Sequence, residues 1–258
     1  MTNATKRLFA FLALFGACSE PKAARPVTAP YEAVSSAPAT PATERGGRFA
    51  ELSIEGFLPA YVYVPAGDGP WQLVVATHGA GGAPEWECEY WRRLTAGRMF
   101  IACLRGTPID QRTSGSYYYR DHRALGREFT ALNAALDAQF GPRLAPGFAV
   151  YAGFSQGAIM GAPMIVPFAG RYRRLALIEG GYEYWSVATA RTFAKNGGER
   201  VLFACGTRFC AQKAEQPAAW LRKFKVDVRI EYAEGAGHTP VGEVMTKVER
   251  ALPWLLGD

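Results

Sequence analysis

The sequence predicts an α/β domain, with a mostly parallel central sheet, helices on both faces and no large lid. Three observations predict it. Near-continuous apolar runs recur at residues 71–77, 99–104, 148–152, 174–178 and 200–204, the pattern of strands covered on both faces. Helix-compatible stretches alternate with these runs, as parallel connections require. Glycine-rich corners follow two of the runs directly, at residues 78–82 and 153–157.

The chain opens on a processing signal. Lys6 and Arg7 form a short basic region, and residues 8–17 are an apolar run of ten, well short of the about 20 residues that span a bilayer. The run ends at Gly16-Ala17-Cys18. Small residues before a lone cysteine resemble a bacterial lipoprotein signal, which implies cleavage before Cys18 and its lipidation. Phe15 departs from that pattern, where leucine is more usual. The expected location is therefore extracytoplasmic, either anchored through Cys18 or secreted, and residues 1–18 are set aside from fold reasoning. Residues 19–47 are rich in proline, alanine and threonine and read as a linker with little to bury. Residues 48–258 remain, enough for one domain with a full core.

Within that domain, residues 50–64 alternate more and contain Gly56 and Pro59. They read as an antiparallel opening pair at the sheet edge. The strand at 71–77 leads into His78-Gly79-Ala80-Gly81-Gly82. A first helix carries Cys88, and the next strand carries Cys103. Residues 105–120 form the longest irregular connection. His122 lies in a charged stretch and marks a helix start on the surface. The strand at 148–152 runs into Gly153-Phe154-Ser155-Gln156-Gly157, and a helix is expected over 156–168. Further strands follow at 174–178, 200–204 and 226–232, and a last helix at 241–256.

A serine between two glycines, at a strand-to-helix corner, is a nucleophile elbow. The turn is so tight that the serine backbone is strained and its flanks must lack side chains. The helix end beneath it offers N–H groups to a developing negative charge. Of three histidines, His238 stands in a glycine-containing loop after the last strand, the place from which a general base reaches the serine. His78 is read as orienting its loop.

Together, the order Ser155 then His238, the glycine-rich loop and the strand-helix alternation resemble the α/β-hydrolase fold, over residues 51–256. The G-F-S-Q-G string looks like the small carboxylesterase and acyl-thioesterase branch. The H-G-A-G-G loop is similar to that of compact secreted esterases and polyester depolymerases. The resemblance implies a serine hydrolase acting on esters, with no cofactor and no metal. It implies an oxyanion hole made by the N–H groups of Gln156 and Ala80. It also implies an acid after the strand at 200–204, and there the pattern breaks: the expected aspartate position holds Phe209, and no carboxylate appears until Glu215. Some lipases of this fold carry the acid one strand earlier, where Glu179 stands, followed by Gly180 and Gly181. Glu179 is taken as the acid and Glu183 as the alternative. Asp227 sits inside a strand and is disfavoured, and Glu234 stays open through its nearness to His238. The two glycines are expected to let the backbone pass close to the histidine loop.

Five cysteines less Cys18 leave four. The short separation of Cys205 and Cys210 permits a disulfide that rigidifies the loop lacking its acid. A helix packed on a strand brings Cys88 and Cys103 together. Four cysteines allow three pairings, and the sequence leaves the choice open. Tyr117, Tyr118 and Tyr119 are expected to form one aromatic wall of a substrate pocket, and Tyr182, Tyr184 and Trp185 another. The net charge of +6 includes Lys6 and Arg7, and no basic stripe interleaved with aromatics suggests nucleic acid. The expected partner is a small-molecule ester. The missing acid motivates a second reading, a non-catalytic binding lipoprotein on a degenerate hydrolase fold.

Overall fold

The protein is described from a computed structural model covering residues 46–110 and 115–257. The signal segment, Cys18 and most of the linker lie outside the described residues, as do Thr113 and Ser114 in the long connection.

The described residues form ten strands and six α-helices. They are β1 (Arg48–Leu52), β2 (Ala60–Val64), β3 (Leu73–Thr77), α1 (Pro84–Leu94), β4 (Phe100–Cys103), β5 (Thr107–Pro108), β6 (Tyr117–Tyr118), α2 (His122–Phe140), β7 (Val150–Phe154), α3 (Gln156–Met164), β8 (Arg174–Ile178), α4 (Val187–Lys195), β9 (Arg200–Cys205), α5 (Arg208–Lys223), β10 (Asp227–Tyr232) and α6 (Glu243–Leu256). Eight strands make the central sheet in the order β1-β2-β4-β3-β7-β8-β9-β10. β1 and β2 pair antiparallel at one edge, as residues 50–64 predicted. β2 also runs antiparallel to β4, and the rest of the sheet is parallel. β5 and β6 form a small hairpin inside the long connection.

Consecutive strand residues alternate between two buried layers. Leu73 and Val75 of β3 join Leu125 and Phe129 of α2, Ala158 of α3, Phe193 of α4 and Leu221 of α5. Val74 and Ala76 join Trp91 of α1 and Val244, Val248 and Leu255 of α6. Both faces are thus covered, which is why these strands read as continuous apolar runs. No helix among the described residues is long and apolar enough to cross a membrane.

Two boundaries differ from expectation. The strand before the elbow begins at Val150 and continues through Gly153 and Phe154, so the motif is partly strand. The helix after it is α-helical only to Met164 and continues as a 3₁₀ turn, Val166–Phe168. Pro167 has no N–H to extend the α-helical ladder. His122 begins α2 as predicted, with the Asp121 carboxylate accepting from the Arg123 and Ala124 amides.

Two disulfides close. Cys88 of α1 joins Cys103 of β4, and Cys205 at the end of β9 joins Cys210 in the first turn of α5. They fit an oxidising, extracytoplasmic compartment.

α1 also buries a carboxyl. Glu87 is 6% exposed and accepts a hydrogen bond from Trp91 Nε1 at 3.1 Å. Burial pushes its pKa up to about 8. A carboxyl raised above its unfolded value holds its proton longer in the folded state, so stability falls as pH climbs from the unfolded value to the folded one. Glu87→Gln keeps the acceptor and removes the ionisation. Thermal unfolding between pH 6 and 9 is expected to show the wild-type Tm falling by several degrees more than the variant's, the equivalent of about 2–3 kcal/mol. Parallel Tm profiles for the two proteins contradict this.

Candidate active site

Each part of the site stands at the C-terminal edge of the parallel strands. Ser155 links β7 to α3 with φ 48° and ψ −115°, a left-handed-side conformation that a residue with a side chain holds only when its surroundings fix it. Those surroundings are explicit. The Ser155 amide donates to Ile178 O at the end of β8 (2.8 Å), and the Gly157 amide donates to His78 O (3.1 Å). The Tyr151 hydroxyl donates to Gly157 O at 2.8 Å. A Cβ at Gly153 would stand 2.7 Å from Ala158 N, and one at Gly157 would stand 2.6 Å from Thr77 Oγ1. Both flanking positions therefore require glycine, as the motif implied.

His238 lies between the serine and a carboxylate. Its Nε2 is 2.8 Å from Ser155 Oγ, and its Nδ1 is 2.9 Å from Glu179 Oε2. The ring sits against Phe154, with centroids 5.4 Å apart. The loop that carries it is pinned: Ala233 N donates to Cys205 O (2.7 Å) and Gly237 N to Gly206 O (3.0 Å).

Glu179 leaves β8 with φ 51°, and its amide donates to Ala204 O of β9 at 2.9 Å. The turn directs its side chain across the neighbouring strand end. There Oε1 accepts from the Gly206 amide and from the Thr207 amide at 2.9 Å. Oε2 accepts from Thr207 Oγ1 at 3.1 Å. The residue is 3% exposed. Burial alone pushes its carboxyl up, but the hydrogen bonds from His238, Thr207 and Gly206 outweigh it and hold the pKa below the ordinary value. The carboxylate is thus ionised at neutral pH.

The other carboxylates are elsewhere. Glu183 is exposed and turns back onto the Gly181 and Tyr182 amides of its own loop. Glu234 is solvent-exposed and 3.8 Å from Arg208. Asp227 accepts from Trp254 Nε1.

The glycine-rich loop runs beside the serine. A Cβ at Gly79 would stand 3.2 Å from Ser155 Cβ. The N–H groups of Ala80 and Gln156 have no acceptor among the described residues. The loop is held by His78, whose ring nitrogens face Gly79 O (2.7 Å) and Arg105 O (3.0 Å); burial pushes that imidazole's pKa down. Backbone pairing with Tyr117 fixes the other side: Gly81 N to Tyr117 O (2.8 Å) and Tyr117 N to Gly82 O (2.9 Å).

The tyrosine run is corrected in one place. Tyr119 is 2% exposed and is no pocket wall. Its hydroxyl donates to Leu104 O and accepts from the His78 amide, and its own amide donates to Gln156 Oε1 at 2.8 Å. It ties the long connection to the elbow and to the glycine-rich loop at once. Trp185 is likewise buried, packed edge-on to Phe193. Tyr117, Tyr118 and Tyr182 are half-buried and Tyr184 is exposed, so these four line the surface. Gly180 and Gly181 pass close to α3. A Cβ on Gly180 would stand 2.9 Å from Ser155 O.

The sequence reading missed the Gly206-Thr207 amides and the Gln156 side chain. A threonine at a helix N-cap was a visible signal for the first; the second had none. Glu179, Cys205 and Cys210 bring ligand-type atoms within 4.8 Å of one another. The sulfurs are joined as a disulfide and offer no thiolate to a cation.

No protein-family model and no curated protein matches the sequence. Solved structures do match. The crystal structure of TT1662 from Thermus thermophilus is similar with a TM-score of 0.61 and 18% identity, over 82% of this chain and 99% of that one. A dienelactone hydrolase-like promiscuous phosphotriesterase from metagenomic libraries gives 0.61 and 16%, over 82% and 97%. Esterase PE8 gives 0.53 and 19%, over 72% and 94%. At these identities the likeness speaks for architecture, and with the sheet order above it establishes that this chain has the α/β-hydrolase fold.

Proposed function

We propose that the protein is a serine hydrolase that cleaves carboxylic esters through an acyl-enzyme. The observation that carries this reading is the unbroken hydrogen-bonded series from Ser155 Oγ through both nitrogens of His238 to Glu179. Its neighbours in fold, an esterase and a phosphotriesterase by their names, support the reaction class.

Glu179, ionised and immobile, accepts from Nδ1–H of His238 and so leaves Nε2 free to act as base. Ser155 Oγ attacks the ester carbonyl while Nε2 takes its proton. The carbonyl oxygen becomes an oxyanion facing the Gln156 and Ala80 N–H groups, which are fixed in place before charge develops. Collapse breaks the bond to the alcohol, and the imidazolium returns the proton to that leaving oxygen. Water then repeats the sequence on the acyl-serine and releases the acid.

The substrate's reacting ester is expected to carry apolar groups. Among the described residues, the large apolar side chains that are exposed are Phe57, Leu58, Trp86, Ile109, Tyr184, Val187, Phe209 and Val241. All eight lie on connections or first helical turns at the strand edge that holds Ser155. Exposed apolar residues on this edge are the side chains available to an apolar substrate that reaches Ser155. The small secreted-esterase branch is the kind of hydrolase that suits this open, apolar rim.

A fluorophosphonate probe is expected to label the wild-type protein and to leave Ser155→Ala unlabelled. A folded, disulfide-intact wild type that takes no label favours the binding-protein reading instead. Glu179→Gln is expected to lower kcat on an activated ester by about a thousand- to ten-thousand-fold, while Glu183→Gln stays within about twofold of wild type. Full activity of Glu179→Gln removes Glu179 from the mechanism. Phe209→Ser and Tyr184→Ser are each expected to raise KM several-fold for long-chain esters and hardly at all for acetates, since only the long chain buries that area. Equal changes across chain lengths exclude a role for the rim in selecting substrate.

A further inference from the structure

The loop between β9 and α5 does two jobs within six residues. Its Gly206 and Thr207 amides hold the Glu179 carboxylate. Its Cys205 and Gly206 carbonyls hold the histidine loop through Ala233 N and Gly237 N. The loop thus fixes the relative position of acid and base, and it contains Gly206, the residue type with the widest backbone freedom. Nothing in its own sequence confines that glycine. The confinement comes from the ends: Cys205 closes β9, Cys210 stands in the first turn of α5, and a disulfide joins them across the two amides. Both cysteines are 1% exposed. Thr207 completes the closure, its Oγ1 accepting from Cys210 N (3.2 Å) while donating to Glu179 Oε2.

We propose that the Cys205–Cys210 disulfide is a positioning element for the acid. It holds the Gly206 and Thr207 amides in the orientation that captures Glu179 and, through Gly206 O, the loop that carries His238. The proposal rests on the serine-hydrolase reading and goes beyond it. The second disulfide gives the contrast. Cys88–Cys103 spans fifteen residues and ties α1 to β4, away from acid and base. Loop-closure entropy grows with loop length, so the longer bridge contributes more to stability, and the short one owes its place to the geometry it imposes.

The test is a double-mutant cycle on the mature domain. Cys205→Ala/Cys210→Ala is made in the wild-type and Glu179→Gln backgrounds, with Cys88→Ala/Cys103→Ala as the comparison. In the wild-type background, kcat on an activated ester is expected to fall about ten- to a hundred-fold, the loss that small misplacements of reacting groups cause, with KM within about twofold. In the Glu179→Gln background the same pair is expected to cost several-fold less in kcat, because no acid remains to be placed and only the histidine loop can shift. The Cys88/Cys103 pair is expected to lower Tm and keep kcat. Equal losses in both backgrounds, or wild-type kcat in the folded Cys205/Cys210 variant, overturn the proposal. Should the alanine pair not fold, Cys205→Val/Cys210→Ala keeps more of the buried volume and takes its place. Failure of both to fold assigns the bridge to stability and also overturns it. The underlying reading fails separately, through a wild-type Ser155 that neither hydrolyses esters nor takes the fluorophosphonate label.

Discussion

The site depends on a carboxylate that is buried and still charged. Removing a carboxylate from water is costly unless donors replace the water it loses. Glu179 has four such donors: the Gly206 and Thr207 amides, the Thr207 hydroxyl and His238 Nδ1. Three come from one loop, and those three carry no formal charge. The acid therefore stays ionised by hydrogen bonding. An ionised carboxylate beside Nδ1 favours the tautomer protonated there, which leaves Nε2, the nitrogen facing Ser155, as an acceptor. Remove the cradle and the chain of consequences to the serine is broken at its first link.

The elbow is constrained from another direction, by sterics. Ser155 holds a positive φ in a turn fixed by two neighbouring strands and its own: Ile178 O from β8 holds Ser155, while His78 O after β3 and the Tyr151 hydroxyl from β7 hold Gly157. Tyr119 adds a fourth from the long connection, through Gln156 Oε1. The strained turn is thus held at the middle of the sheet, where neighbours exist on both sides. Glu179, also at positive φ, uses the adjacent strand pair in the same way. Both residues that depart from ordinary backbone geometry here are placed where the sheet is least able to relax.

How much of this was legible in the sequence follows from where each constraint resides. The elbow was legible because its cause is local: two glycines and a serine at a corner express a steric rule within five residues. The strands and their burial were legible because covering both faces leaves a continuous apolar run. The roles of the aromatic residues were not. Tyr119 stands beside Tyr118 in a run of three, yet its ring is buried with the hydroxyl on Leu104 O and the His78 amide, while that of Tyr118 faces the surface. That difference arises from the β5–β6 hairpin and from the elbow lying opposite. The closeness of Gly180 and Gly181 to α3 was hidden for the same reason, since it is a tertiary fact. The Gly206-Thr207 cradle left only an indirect mark, a threonine placed to cap a helix, because backbone amides leave no trace in composition.

The placing of the acid on β8 and not after β9 has a geometric logic. The strands are parallel neighbours, with Ile178 opposite Ala204, so moving an acid from one strand end to the other shifts its origin by about 4.8 Å. Two features of this chain absorb the shift. The positive φ of Glu179 turns the side chain toward β9, and glutamate reaches one methylene further than the aspartate expected after β9. The vacated loop is then free of a catalytic side chain, and its backbone takes up the complementary task. Gly206 lets the chain pass against Gly237 O, where any Cβ would collide, and so draws acid loop and base loop together. Glu179 of β8 thus supplies the carboxylate, and the loop after β9 supplies donors that hold it.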